Sequence, residues 1–209
     1  MTRPARVVAP LRLDLQVIAD MIERDTRVLD VGCGDGALLD YLVHAKGVDG
    51  RGIELSQAGV NACVSHGLSV IQGDADTDLA DYPSGSFDYV VLSQTLPATR
   101  NPKGVLEAMV RIGRHAIVSI PNFGYWRLRL SLLGAGRVAM PLDNHHRWHD
   151  TPNIHPCSIA DFVSLCDTLG VRIRRTISID RRGHTRRSAS PRPLANLLDA
   201  QAVFSLAKD

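Results

Sequence analysis

A glycine-rich turn between a predicted strand and a predicted helix is the feature that most constrains the fold of this chain. Residues 27–31 form a short apolar run around one acid, and Gly32, Gly34 and Gly36 follow it directly. Residues 37–44 then place three leucines on one helical face. Glycines at such a turn let the backbone approach a bound ligand closely. A strand, a glycine turn and a helix in this order are typical of a parallel α/β sheet, whose ligands bind beyond the carboxyl ends of the strands.

The rest of the chain continues this alternation of strands and helices without a linker. We therefore predict a single domain over residues 1–209. Within it we expect a flexible N-terminus at 1–12, an inserted segment rich in Arg, His and aromatic residues at 122–157, and a basic loop at 180–195. The further predicted strands are 50–55, 69–72, 87–93, 115–121, 171–179 and 202–206.

Three acidic residues stand where the first three predicted strands end. Asp30 precedes the glycine turn, Glu54 ends the second strand and Asp74 follows the third. Because the carboxyl ends of parallel strands meet at one edge of the sheet, we expect the three carboxylates to line one crevice. Glu54 is placed to accept hydrogen bonds from ribose hydroxyls, and Asp74 from an adenine amino group. Asp30 and Asp35 would repel a pyrophosphate, so the crevice suits a cationic or zwitterionic ligand.

These motifs resemble those of class I S-adenosylmethionine (AdoMet)-dependent methyltransferases. The order D-x-G-C-G-x-G, a strand-end Glu and then G-D-A carries this resemblance. A closer resemblance, over about residues 11–180, is to the methionine biosynthesis protein MetW family. The strings that carry it are Leu13–Ala19, Phe87–Leu96, Ile120–Gly124 and Asp150–His155.

The resemblance implies a fold, a ligand and a partner. The implied fold is an α/β, class I methyltransferase-like Rossmann fold with a mostly parallel seven-stranded sheet, an antiparallel last strand and helices on both faces. The implied ligand is AdoMet or S-adenosylhomocysteine (AdoHcy). The implied partner is homoserine O-acyltransferase, as the O-acetyltransferase or the O-succinyltransferase. The residues that the resemblance assigns to the cofactor are Asp30, Gly32, Cys33, Gly34, Glu54, Leu55, Asp74, Ala75 and Ser93.

A catalytic base is required only if a methyl acceptor must lose a proton. The candidates in the inserted segment are His149 and His155, with Asp150 as an orienting carboxylate, beside His145 and His146. The alternative is a polar loop whose histidines bind backbone or lie at a protein interface. We expect no metal site, because the segment lacks the glutamate of an HExxH motif and its prolines interrupt a continuous helix.

Charge is distributed unevenly along the chain. Residues 172–192 contain eight arginines and one acid, whereas the remaining residues carry 16 basic and 21 acidic side chains. An arginine-rich segment suits phosphates, but the rest of the chain is acidic and Ser93–Leu96 stands where a DNA methyltransferase would carry an N-P-P-Y-type motif. Charge therefore argues against a nucleic-acid partner, which ranks last among the partners considered.

No apolar run approaches the roughly 20 residues that span a membrane, and four cysteines without a C-x-x-C pair indicate reduced thiols. We expect a cytoplasmic protein without a membrane partner.

Three functions are consistent with these features, in descending order. The first is an AdoMet- or AdoHcy-binding subunit that associates with homoserine O-acyltransferase and supports or regulates it. The second is an active AdoMet-dependent methyltransferase of small molecules. The third is a nucleic-acid methyltransferase or binder. Whether the chain is itself an enzyme stays open at this point. Exposed aromatic residues and arginines are common at interfaces, so residues 123–149 are the predicted docking surface.

Overall fold

A computed structural model describes residues 11–141, 148–188 and 194–208 of the chain. The predicted flexible N-terminus lies almost entirely outside these ranges, as do His145 and His146. The helices are α1 (Leu13–Met21), α2 (Ala37–Lys46), α3 (Gln57–Ser65), α4 (Pro102–Ile112), α5 (Trp126–Ala135), α6 (Ile159–Thr168) and α7 (Ala195–Leu198). The strands are β1 (Arg27–Val31), β2 (Asp49–Glu54), β3 (Ser69–Gln72), β4 (Phe87–Ser93), β5 (Gly113–Pro121), β6 (Val171–Ile179), β7 (Thr185–Ser188) and β8 (Gln201–Lys208).

The strands form one sheet in the order β3-β2-β1-β4-β5-β8-β6-β7. The strands β1 to β5 pair in parallel. The last strand, β8, runs antiparallel between β5 and β6. The mostly parallel sheet and the antiparallel last strand are therefore as predicted.

The sheet has one strand more than the seven predicted, and the extra strand comes from the predicted basic loop. Thr185–Ser188 forms β7, which pairs antiparallel with β6 at the edge of the sheet. The chain reverses just before it, because the Asp180 carboxylate accepts hydrogen bonds from the backbone N–H groups of Arg182 and His184. Arg186 of β7 pairs with the buried Asp199 at 2.5 Å. The prediction of a loop across 180–195 is thus wrong for residues 185–188.

Helices cover both faces of the sheet, and β4 shows why. Its side chains alternate between the two faces, as they must in an extended strand. Val90 and Leu92 belong to the apolar cluster that contains Leu106 of α4. Val91 belongs to the opposite cluster, which contains Leu42 of α2. A strand covered on both faces is apolar throughout its centre, which is the pattern of residues 89–92.

Side-chain caps begin three of the helices at the residues that the sequence indicates. Ser56 accepts a hydrogen bond from Gly59 N at the start of α3, and Asn101 does the same from Gly104 N at α4. Ser158 forms a complete capping box at α6. Within residues 11–141, 148–188 and 194–208, no helix has the length and apolar character that would be needed to cross a membrane.

Candidate functional site

A cavity of about 600 Å³ lies at the carboxyl ends of the parallel strands. Turns that follow β1, β2, β3 and β4 form its walls, and residues 152 and 153 of the inserted segment form one side of its mouth. The predicted cofactor residues among its lining are Gly32, Glu54, Leu55, Asp74 and Ala75. The topology therefore brings the loop, the second-strand acid and the third-strand acid to one place.

The glycine loop is shaped by its contact with the turn after β4. Gly32 has a φ of 69°, in the left-handed region that disfavours other residues. A Cβ atom at Gly32 would lie 2.7 Å from Oγ1 of Thr95. The two turns that flank the cavity can approach each other in this way only because residue 32 lacks a side chain.

Glu54 ties the end of β2 to the glycine loop. Its Oε2 accepts a hydrogen bond from Gly34 N at 2.9 Å, and its Oε1 accepts one from Ser56 N at the same distance. Each carboxylate oxygen has a second lone pair. The carboxylate is thereby held at the cavity wall with acceptor capacity to spare, which is the arrangement that its predicted role toward ribose hydroxyls requires.

Asp30 is a buried carboxyl group without a full set of partners. It is 2% exposed, and its Oδ1 has no hydrogen-bond partner among the described residues. Burial raises the pKa of Asp30 to about 7, and the nearby negative charge of Glu54 adds to the shift. A buried polar atom without a partner is costly. A cationic group bound near the loop would lower that cost.

Arg100 faces the third-strand acid, and it was not among the residues predicted for the site. Its guanidinium pairs with the Asp74 carboxylate. The neighbouring Asp76 accepts hydrogen bonds from the backbone N–H groups of Arg100 and Asn101, both at 2.8 Å. Asp74 and Asp76 therefore hold the turn before α4 against the turn after β3. No local sequence pattern signals this contact, because it joins residues 26 positions apart.

The inserted segment meets the cavity through the short stretch from Pro152 to His155. The backbone N–H groups of Ile154 and His155 both donate to the carbonyl oxygen of Pro97, at 2.9 and 2.8 Å. Nε2 of His155 lies 3.3 Å from the carbonyl oxygen of Arg100. Residues 152–155, which we call the strap, are thereby fastened to the turn after β4.

None of the three candidate catalytic residues is among those that line the cavity. His155 lies at the mouth of the cavity with its ring directed to backbone. His149 and Asp150 are exposed and do not line the cavity. The ring of His149 packs instead against Trp148, with centroids 5.4 Å apart. A catalytic role for these three residues stays a prediction.

Ser93 lies at the end of β4 in a polar cluster beside the cavity. Its hydroxyl donates to Asp14 at 3.3 Å and lies 3.2 Å from the hydroxyl of Ser119. Asp14 is fully buried and accepts two hydrogen bonds from Arg12, at 2.7 and 2.9 Å. Sequence reasoning did not single out Asp14. Its position inside an otherwise apolar helix face is the signal that would have found it.

Asn122 follows β5 but holds the fold rather than a ligand. It is fully buried, and its Nδ2 donates to the carbonyl oxygens of Asn196 and Asp199. Its Oδ1 accepts from the N–H groups of Gly124 and Ile159. With these four bonds the amide is fully used.

The comparison with protein families agrees with this geometry. The sequence profile of the family described as "Methionine biosynthesis protein MetW" matches residues 12–206. The chain belongs to the MetW family. The match extends past the region of the resemblance described above and includes the last strand, β8.

Relatives of known name extend this result. The MetW-family chain is 35% identical over 179 residues to the "Bifunctional methionine biosynthesis protein MetXA/MetW" of Rhodopirellula baltica. The aligned residues make up 81% of this chain and 29% of the relative. The chain is 32% identical over 154 residues to a "Ubiquinone biosynthesis O-methyltransferase" of Xanthomonas oryzae pv. oryzae, covering 69% of this chain and 64% of that protein. The chain thus spans less than two thirds of the length of either of these curated relatives.

Solved structures share the fold. A SAM-dependent methyltransferase from Thermotoga maritima superposes with a TM-score of 0.67 at 16% sequence identity, over 94% of this chain and 87% of that one. The MetW-family chain therefore has the class I methyltransferase-like fold that its motifs predict.

Proposed function

We propose that this chain is an AdoMet- or AdoHcy-binding subunit that associates with homoserine O-acyltransferase and supports or regulates it. The observation that supports this association is the bifunctional relative, whose name joins a MetXA part and a MetW part in one chain. Covalent fusion keeps two proteins together at high effective concentration, which benefits proteins that act as one unit.

The donor set of the cavity supports the cofactor. Gly32 brings the backbone of the loop to the cavity wall, Gly34 has open space where a Cβ atom would lie, and Glu54 is held with free lone pairs for the ribose hydroxyls. The exposed side chain of Leu55 and the Ala75 methyl group offer apolar surface for the adenine ring. The buried Asp30 favours a ligand that brings positive charge. When bound, AdoMet supplies a methyl group already activated by its sulfonium.

An active small-molecule methyltransferase is the second candidate. The similarity to ubiquinone biosynthesis O-methyltransferases favours it. An O-methyltransferase removes a proton from its acceptor and benefits from a base within reach. Among the described residues no histidine lines the cavity, and the His155 ring is directed to the Arg100 carbonyl.

Calorimetric titration of the chain with AdoMet and with AdoHcy tests the cofactor. We expect Glu54→Ala to weaken binding by about 10- to 100-fold, because a charge-assisted contact contributes roughly 1.5–3 kcal/mol. Glu54→Gln keeps one acceptor oxygen and is expected to lose less. Glu107→Ala, at an exposed acid on α4, is the matched control. Unchanged affinity in a folded Glu54→Ala protein would refute the role of Glu54, and no binding by the wild-type chain would refute the cofactor.

Two assays separate the candidate functions. Gel filtration after co-expression with the homoserine O-acyltransferase of the same genome, together with its acylation rate, tests the subunit. Separate elution and an unchanged rate would contradict it. Transfer of a radiolabelled methyl group from AdoMet to a small molecule of a cell extract would favour the enzyme instead.

A further inference from the structure

The helix α5 carries apolar residues that the described part of the chain leaves uncovered. None of its ten residues is buried, although it contains Leu128, Leu130, Leu132 and Leu133. Leu133 is 84% exposed and Leu130 is 53% exposed. An isolated helix of this length is marginal in water, and helices of this kind are normally stabilised by packing of an apolar face. A face of this composition needs a covering surface.

The apolar surface continues from α5 onto the inserted segment. Between them lies a cavity of about 410 Å³ lined by Phe123, Leu132, Val138 and Trp148, among others. Trp148 is 72% exposed and Val138 is 61% exposed. We call the surface formed by Leu128, Leu132, Val138 and Trp148, which all line this cavity, the α5 patch. Contiguous exposed apolar residues of this kind mark interaction sites.

Charge around the α5 patch indicates what kind of surface covers it. Residues 122–141 contain Arg127, Arg129 and Arg137 and no acid. The rest of the inserted segment adds Arg147, Asp143 and Asp150, so that residues 122–157 carry four arginines and two acids. Two copies of this chain meeting symmetrically through the α5 patch would bring like charges together. The charge therefore disfavours self-association and favours a different protein with carboxylates around an apolar groove.

We propose that the α5 patch is the docking surface for homoserine O-acyltransferase, which presents an apolar groove rimmed by carboxylates to it. This inference rests on the function proposed above and adds the surface through which the two proteins associate. Trp148 and the arginines are of the residue types that dominate binding energy at interfaces. The leucines of α5 then gain the burial that the chain by itself does not provide.

The position of the α5 patch connects docking to the cofactor cavity. Asn153 of the strap lines both the cofactor cavity and the cavity beside α5. The strap is fastened to the turn after β4 through the Pro97 carbonyl. A side chain of a bound protein that enters the cavity beside α5 would therefore reach Asn153 of the segment next to the cofactor cavity.

Co-purification of variants tests the α5 patch. The full chain is co-expressed with the acyltransferase of the same genome and the complex is measured by gel filtration with light scattering. We expect Leu132→Glu and Leu128→Glu to weaken the complex at least tenfold, because each places a charge against an apolar groove. Val64→Glu makes the same change at an exposed valine of α3 and is expected to leave the complex intact. AdoHcy binding measured on each variant shows that the fold is retained.

The outcomes are distinct. Loss of the complex in the two leucine variants, with Val64→Glu unaffected, supports the α5 patch. A wild-type complex that survives both leucine substitutions overturns the docking surface and leaves the proposed function standing. A wild-type chain that forms no complex overturns both. A dimer of the free chain that Leu132→Glu dissociates assigns the α5 patch to a second copy and overturns the proposal as well.

Discussion

The buried carboxyl of Asp30 makes the stability of the free chain depend on pH. Because its pKa is raised to about 7, the folded protein keeps this proton between about pH 4 and pH 7, where the unfolded chain has lost it. The free energy of unfolding therefore contains a contribution that is present at low pH and is lost as the pH rises to 7. We expect Asp30→Asn to remove this slope and to stabilise the free chain at pH 8, by up to about 4 kcal/mol.

Thermal unfolding of both proteins in steps from pH 5 to pH 8 measures this difference. Asp49→Asn, at an exposed carboxylate of β2, is the control and is expected to keep the wild-type slope. Parallel pH curves for wild type and Asp30→Asn would contradict the raised pKa. The sequence predicted where Asp30 lies, but its unpartnered oxygen follows from the packing of the whole sheet and could not be read from residues 28–36.

At the scale of elements, the turn between β1 and α2 depends on glycine, whereas α5 does not. We expect Gly32→Ala to cost at least about 1–2 kcal/mol, since the left-handed backbone disfavours a Cβ atom and that atom would meet Thr95. Cofactor affinity is expected to fall as the loop shifts. Gly134→Ala lies within α5 with open space around it and is expected to stabilise the chain by about 0.5–1 kcal/mol. Urea unfolding of the two variants distinguishes these effects, and equal stabilities would contradict the strained turn.

The elements that could be predicted are those with a local signal. Strands β1, β4 and β5 contain apolar runs, and the capping box at Ser158 marks the start of α6. The strand β7 was not predicted from the sequence, because Thr185–Ser188 carries two arginines and no apolar alternation. Its formation depends on pairing with β6 after the Asp180 turn. The same reason hides the Arg100–Asp74 pair, because only the folded chain brings the turn after β3 to the turn before α4.

At the scale of the whole molecule, charge and apolar surface divide between two regions. The acids Asp30, Glu54 and Asp74 gather where the parallel strands end. The exposed leucines and arginines of α5 lie on the inserted segment after β5. The strap lies between these two regions. Its Pro152 and Asn153 line the cofactor cavity, and the backbone N–H groups of Ile154 and His155 donate hydrogen bonds to the Pro97 carbonyl oxygen.

This connection predicts that cofactor and partner bind cooperatively. If occupancy of the cavity changes the affinity for the acyltransferase by some factor, the acyltransferase must change the affinity for the cofactor by the same factor, since the two coupling free energies are equal. We expect a factor of about 5 to 150, the usual range for coupled sites.

Calorimetry with AdoHcy, on the free chain and on the purified complex, gives one measurement of this coupling factor. Titration of the partner with and without AdoHcy gives the other. We expect Asn153→Ala, which removes the side chain of the residue that lines both cavities, to bring the factor closer to one. A factor of one in the wild-type protein would show that the cavity and the α5 patch act independently.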